Sequence, residues 1–354
     1  MALDEFVVLG RSGLRVSPVC LGTMTFGTER GWGNDEAGSR AVFDHYVEQG
    51  GKFFDTADIY TNGTSERMLG KFVAEKGLRD RAVIASKFSL SVDPENPNAG
   101  GNGRKNIYRA LQSSLRRLGT DYVDLYWMHA WDTVTPVEEV LGTLGDLVRE
   151  GKIRHFGLSD VPAWYAARMH TIAERNGQER PIALQLAYSL IERNIEREHV
   201  PAAREMGWGI CAWSPLQGGL LTGKYLNAAP SPEWRLEQQK NKPGVNRPPI
   251  RRTNARQGEL IELNVQLAGE LGVTPAQVAL AWVLSQPGMT SPILGARTVD
   301  QLTDNLGALE VALPEAVKSR LDAESVLDLV QPYTFFQPPW SNVINGNNKI
   351  RGWR

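Results

Sequence analysis

Lys52-Phe53-Phe54-Asp55-Thr56-Ala57-Asp58-Ile59-Tyr60 holds a short apolar run, two acids and a phenol within nine residues. Lys52 to Phe54 read as a buried strand, and Asp55 stands where that strand should end. Tyr60 follows five residues later, in a segment leading into the helix signal Thr64-Ser65-Glu66. A phenol titrates near pH 10, so it is a poor proton donor at neutrality unless a cation stands beside it. The next strand, 82–87, closes on Lys87, and the strand after it, 123–128, is followed at once by His129. Asp55 is placed to hold the lysine. Taken singly, each residue has a structural explanation: Asp55 as a turn cap, Tyr60 as packing, Lys87 as a solvated strand end, His129 as a core histidine. Together they stand at three consecutive strand ends and point to a tyrosine arranged to hand over a proton.

Outward from this stretch the chain alternates. Before it, Phe6–Leu9 and Leu14–Val19 flank Gly10-Arg11-Ser12-Gly13, a hairpin signature expected to plug one end of the fold. Strands are expected at 19–23, 52–55, 82–87, 123–128, 153–157, 182–186, 208–213 and 291–294. Helices are expected at 35–49, 65–76, 105–118, 136–150, 162–175, 197–206, 254–271, 275–286, 299–309 and 314–325. Thr274-Pro275 is a cap followed by proline in the first turn. Such alternation implies a parallel sheet, and eight units favour a closed (β/α)8 TIM barrel. An open dinucleotide-binding sheet should show G-x-G-x-x-G after an early strand, and the chain has none. The expectation is one barrel domain over 1–354, with a C-terminal extension from 326 lying over the barrel mouth. In a barrel, chemistry gathers at the carboxyl ends of the strands, where Asp55, Lys87 and His129 fall.

Bulk properties narrow the function classes. A net charge of -1 and the lack of a long basic run argue against nucleic acid as a partner. No apolar stretch approaches the roughly 20 residues that span a bilayer, so no membrane is expected. The start, Met-Ala-Leu-Asp-Glu, shows no basic segment followed by an apolar run, so no secretory signal and a cytoplasmic protein are expected. Cys20 and Cys211 sit in apolar contexts and read as small buried residues, with no metal implied.

Three motifs carry a resemblance over nearly the whole chain: Phe54-Asp55-Thr56-Ala57-Asp58-Ile59-Tyr60, Ser114–Leu125 and Gly151–Ser159. The sequence resembles the aldo-keto reductases, (β/α)8 enzymes that use a nicotinamide cofactor without a Rossmann fold. Trp213-Ser214-Pro215-Leu216 and Leu221–Tyr225 are similar to the branch containing potassium-channel β-subunits and many bacterial reductases. The resemblance implies a tetrad of Asp55, Tyr60, Lys87 and His129, with Tyr60 as general acid in reduction and base in oxidation. Lys87, held by Asp55, would lower the phenol's pKa. It further implies NADPH/NADP+ as cofactor. Gly22, Thr23 and Met24 would approach the nicotinamide ribose, with Asp55 bordering it, and Ser159 and Gln185 the carboxamide. The family often has Asn or Arg after that serine; Asp160 stands here and brings no amide donor. Tyr188 would stack on the nicotinamide, while Trp213, Ser214, Pro215, Leu216, Gly218 and Lys224 would line the pyrophosphate. Gly295, Arg297, Gln301, Asp304 and Asn305 match the adenosine site; Arg297 and Lys224 suit a 2′-phosphate.

The substrate wall is expected from Met24, Phe26, Trp32, Phe88, Trp131 and Trp234, with Trp32 and Trp131 foremost. A large apolar mouth suits a bulky carbonyl or alcohol, turned over by a monomer or homo-oligomer. Two other classes stay open. One is a cofactor-sensing regulatory module like the channel β-subunits, against which the retained His129 weighs. The other is a lyase using Lys87 as a Schiff-base amine, against which a charged pairing with Asp55 weighs.

Overall fold

The computed structural model describes residues 1–226, 254–346, 348 and 350. A hairpin of β1 (Val7–Val8) and β2 (Arg15–Val16) precedes eight parallel strands. These are β3 (Cys20–Gly22), β4 (Phe53–Asp55), β5 (Val83–Phe88), β6 (Val123–Met128), β7 (Ile153–Ser159), β8 (Ala183–Ala187), β9 (Gly209–Trp213) and β10 (Ile293–Leu294). They neighbour one another in chain order, with β10 pairing back onto β3. On the remaining side, Ile210 bridges Met289, and the Thr290 N–H donates to Ile210 O at 2.9 Å, which brings the ring close to closure. Between strands lie α1 (Glu36–Glu48), α2 (Thr64–Glu75), α3 (Arg104–Leu118), α4 (Val137–Arg149), α5 (Ala163–Arg175) and α6 (His199–Met206). Helices α7 (Ala255–Leu271) and α8 (Pro275–Leu284) stand between β9 and β10, and α9 (Val299–Leu306), α10 (Glu315–Glu324) and α11 (Trp340–Ile344) follow. This is the expected (β/α)8 barrel with its N-terminal hairpin.

Local chemistry accounts for the element ends. Asn254 with Gln257, and Thr274 with Gln277, form capping boxes that open α7 and α8, and Pro275 adds its preset φ at the start of α8. Differences from expectation sit at frayed ends. Strand β7 continues to Ser159, β10 begins at Ile293, and α9 stops at Leu306 before a 3-10 turn over Gly307–Leu309. Tyr60 opens another 3-10 turn, Tyr60–Gly63, in which Thr61 and Asn62 have φ of 46° and 54°.

Alternation along each strand divides the core into two layers. Cys20, Phe53, Val83, Ala85, Leu125, Trp127, Ala183 and Cys211 fill the barrel interior, with Leu9 and Val16 of the hairpin closing its amino end. Leu21, Phe54, Ile84, Phe88, Tyr126, Met128, Phe156, Leu158, Leu184 and Ile210 face outward into the layer shared with the helices. Continuing the inward register one step past the apolar plug brings Asp55, Lys87, His129, Ser159, Gln185 and Trp213 to the carboxyl rim.

The extension docks at the carboxyl end of the barrel, beside the cleft and not lining it. Its residues pack beside the segment entering α6: Arg197 donates to Asp328 O at 2.9 Å, and Tyr333 Oη bonds the Glu198 carboxylate. Arg256 at the start of α7 donates to Val326 O at 2.6 Å. No described residue beyond Asn305 lines the cleft at the barrel mouth. Trp234 lies outside the described residues. Among the described residues, no single helix is long and apolar enough to cross a membrane.

Candidate active site

Lys87 is 0% exposed, which for an ammonium is tolerable only if it is paired. Its Nζ bonds the Asp55 carboxylate and donates to Thr56 O at 2.9 Å and to Tyr60 Oη at 3.2 Å. An ammonium has three N–H groups and no acceptor, so all of its capacity is taken. The other oxygen of Asp55 accepts from Gln185 Nε2 at 3.0 Å. Burial pushes the Lys87 ammonium down, but the carboxylate and the phenol more than reverse this, leaving it above its ordinary value and charged.

At Tyr60 the outcome differs from expectation. Burial pushes the phenol up by more than Lys87 pulls it down, and Asp55 pushes the same way as burial, so the net direction is upward. Lys87 restrains that rise without inverting it. The ring is half-buried, so cleft water offsets part of the penalty. Tyr60 is therefore protonated at neutral pH. Since its oxygen accepts from Lys87, its own proton is directed to the cleft that it lines. His129 stands edge-on to Tyr60, with ring centroids 6.0 Å apart. Burial, then Lys87 and Arg30, hold its pKa well below the ordinary imidazole value, so it is neutral.

The cleft measures about 740 Å³, inside the range of about 300–1,000 Å³ usual for ligand pockets. Asp55, Tyr60, His129, Ser159, Asp160, Gln185 and Trp213 gather at the strand ends. Ser214, Pro215, Leu216, Gly218 and Lys224 extend one wall, while Gly295, Arg297, Gln301, Asp304 and Asn305 extend the other from the start of α9. Gly22, Met24 and Trp32 complete the lining after β3. Gly22 allows a close approach, since a Cβ there would meet Ile293 Cγ2 at 2.7 Å. Ser159 Oγ is buried on this wall with no hydrogen-bond partner, an orphan that a ligand amide would satisfy.

A barrel with a lysine-supported tyrosine beside a long two-armed cleft has known counterparts. The sequence profile of the Aldo/keto reductase family matches residues 18–325. The chain belongs to the aldo/keto reductase family. Relatives of this aldo/keto reductase include an uncharacterized oxidoreductase, YrpG, of Bacillus subtilis, 38% identical over 90% of this chain and 95% of the relative. A norsolorinic acid reductase of Aspergillus flavus is 31% identical over 94% and 84%. A putative voltage-gated potassium channel subunit beta of Schizosaccharomyces pombe is 35% identical over 86% and 88%. The family is one of oxidoreductases that generally use NAD(P)H.

Several residues expected at the cleft of this aldo/keto reductase lie off it. Phe88 follows the inward Lys87, so it must point outward; it is fully buried and packs on Tyr126, with ring centroids 5.0 Å apart. Tyr188 has the outward register of Leu186: its ring stacks on Trp282 and its hydroxyl bonds Glu196, which removes it as a platform for a cofactor ring. Trp131 packs between Trp164 and Tyr165, at 5.3 and 5.6 Å between centroids, and Phe26 packs on Phe72. Thr23 is buried behind the wall, where its Oγ1 donates to Asp55 O at 3.1 Å. Gln185 does line the cleft, and one N–H of its amide is given to Asp55. Conversely, Thr25, Arg30, Ile59, Leu90 and Thr222 line the cleft without having been singled out. Strand register was the available signal for Phe88; nothing in the local sequence marks Arg30, whose loop position is set by tertiary contacts.

Proposed function

We propose that this protein interconverts a carbonyl compound and its alcohol using NADPH and NADP+, with Tyr60 giving or taking the proton on oxygen. The observation that carries this reading is the polarity of hydrogen bonding at Tyr60. A fully committed ammonium donates to the phenol, which leaves the phenolic proton facing the cleft. When bound, the nicotinamide supplies or accepts the hydride. In reduction, the Tyr60 O–H bond breaks as the new O–H forms on substrate, and Lys87 stabilises the phenolate left behind. Neutral His129, beside the Tyr60 ring, orients and polarises the same oxygen.

The chain's own residues suit the cofactor. Ser159 Oγ lacks a partner and fits a carboxamide. The indole of Trp213 lines the cleft and offers the flat surface first expected of Tyr188. Arg297 and Lys224 bring cations to opposite walls, which favours the 2′-phosphate of NADPH. Arg30, Trp32, Ile59 and Leu90 leave a mixed mouth that suits a bulky substrate.

The test is a panel of aldehydes, ketones and alcohols, norsolorinic acid among them, followed at the nicotinamide absorbance. Tyr60→Phe should lower kcat by about 100- to 10,000-fold while leaving NADPH binding intact; undiminished turnover would overturn the assignment. A regulatory module of the kind suggested by the fission-yeast relative needs no proton donor, so the complete relay favours catalysis. The committed, charged Lys87 leaves no free amine for a Schiff base.

A further inference from the structure

Asp160 is a cleft acid at the strand ends that the proton relay does not use; Asp304, on the far arm, accepts from Thr274 Oγ1 at 2.8 Å. Asp160 follows Ser159 directly, and its backbone has φ +45°, an uncommon conformation for a residue other than glycine. Three hydrogen bonds hold it there. Its N–H donates to Gln185 O at 3.3 Å, its carbonyl accepts from the Trp131 N–H at 3.5 Å, and its Oδ1 accepts from Trp213 Nε1 at 3.0 Å. The residue is exposed, and its carboxylate lines the cleft.

The groups facing it are few. Lys87 on β5 is the charged group acting on it; Gln185 on β8, Trp213 on β9 and Trp131 after β6 carry no charge, and His129 is held neutral. Although the residue is exposed at the cleft, the protein packed round its carboxyl displaces enough water to push it up to about 6, against the pull of the Trp213 hydrogen bond and of Lys87. At pH 7 and above, Asp160 therefore adds a negative charge to a wall of otherwise neutral side chains.

Which end of the cofactor meets that wall follows from the charges along the cleft. Arg297 and Lys224 suit the phosphates, and Tyr60 must share one carbonyl with the hydride donor. That leaves Ser159, Asp160 and Trp213 beside the nicotinamide. The ring is cationic when oxidised and neutral when reduced, so a fixed anion at its side distinguishes the two states. We propose that Asp160 sets the redox bias of the site, its carboxylate favouring NADP+ over NADPH and so making the bound reduced cofactor the stronger hydride donor. This inference rests on the nicotinamide reading given above.

The experiment is a fluorescence titration of wild type and Asp160→Asn with NADP+ and NADPH, at pH 8 and pH 5. Asparagine keeps the size and an oxygen for Trp213 but loses the charge. At pH 8 the variant's preference for NADP+, expressed as the ratio of the two dissociation constants, should fall by about tenfold. The loss should come through weaker NADP+ binding. The wild-type ratio should drop toward the variant's at pH 5, where Asp160 is protonated; the 2′-phosphate is common to both cofactors and cancels. This second measurement stands even if the variant folds poorly. An unchanged ratio with both cofactors bound, or an equal loss of both, overturns the proposal. Failure of wild type to bind either cofactor overturns the nicotinamide reading with it.

Discussion

Asp58 sits three residues beyond Asp55 and has the opposite fate. Both of its carboxylate oxygens are buried without a hydrogen-bond partner, close enough to feel Glu66, whose own carboxylate is paired with Arg117. Burial, then Glu66, raises its pKa to about 7. Across the window from about 4 to 7 the folded state holds a proton that the unfolded state has released. Stability contributed by this group is therefore present at low pH and lost as pH rises through that window, by at most about 4 kcal/mol. Asp58→Asn should flatten the decline in urea midpoint between pH 5 and pH 7.5. An equally steep decline in the variant would show that the charge is accommodated elsewhere. Asp55, by contrast, has a lysine and a glutamine as hydrogen-bond donors, and so one acid of the motif serves the site while the other burdens the fold.

At the level of single elements, strand register does most of the sorting. On β7, Gly157 lies opposite Trp127 of β6, and a Cβ there would meet Trp127 Cζ3 at 2.3 Å and Ala183 O at 2.8 Å. The barrel is filled to the point where the indole occupies the space of the missing side chain. Gly157→Ala should lower stability by about 1–3 kcal/mol, read from the denaturant midpoint. Gly142 in α4 is the contrast: nothing lies within 4 Å of its Cβ position, and alanine there should raise stability by up to about 1 kcal/mol. Equal effects at the two glycines would mean that the interior repacks freely.

For the molecule as a whole, the cleft joins the first and last strands of the ring. Gly22 follows the hairpin and Arg297 comes some 275 positions later, yet β3 and β10 pair directly, and Asn34 Nδ2 donates to Arg297 O at 2.7 Å. Near-closure of the barrel thus places the arm that carries Arg297. Arg297→Ala should raise the KM for NADPH by about tenfold and leave that for NADH nearly unchanged; parallel losses would rule out a 2′-phosphate contact. The tail, docked against Arg197, Glu198 and Arg256, takes no part in this arm.

Alternation of short apolar strands and helices was enough to specify a barrel, because buried parallel strands and amphipathic helices have different periods that can be read along the chain. The same reading located Asp55, Tyr60, Lys87 and His129, since strand ends in a barrel converge. The aromatic residues resisted it. Phe88, Trp131 and Tyr188 stand within a few residues of the site, but which way a ring points depends on strand parity and on the partners available: Tyr126, Trp164, Tyr165 and Trp282. The upward shift at Tyr60 and the carboxylate grip of Trp213 on Asp160 likewise arise from residues brought together from distant units. Periodicity is a property of neighbours in the chain; burial and pairing are properties of neighbours in space.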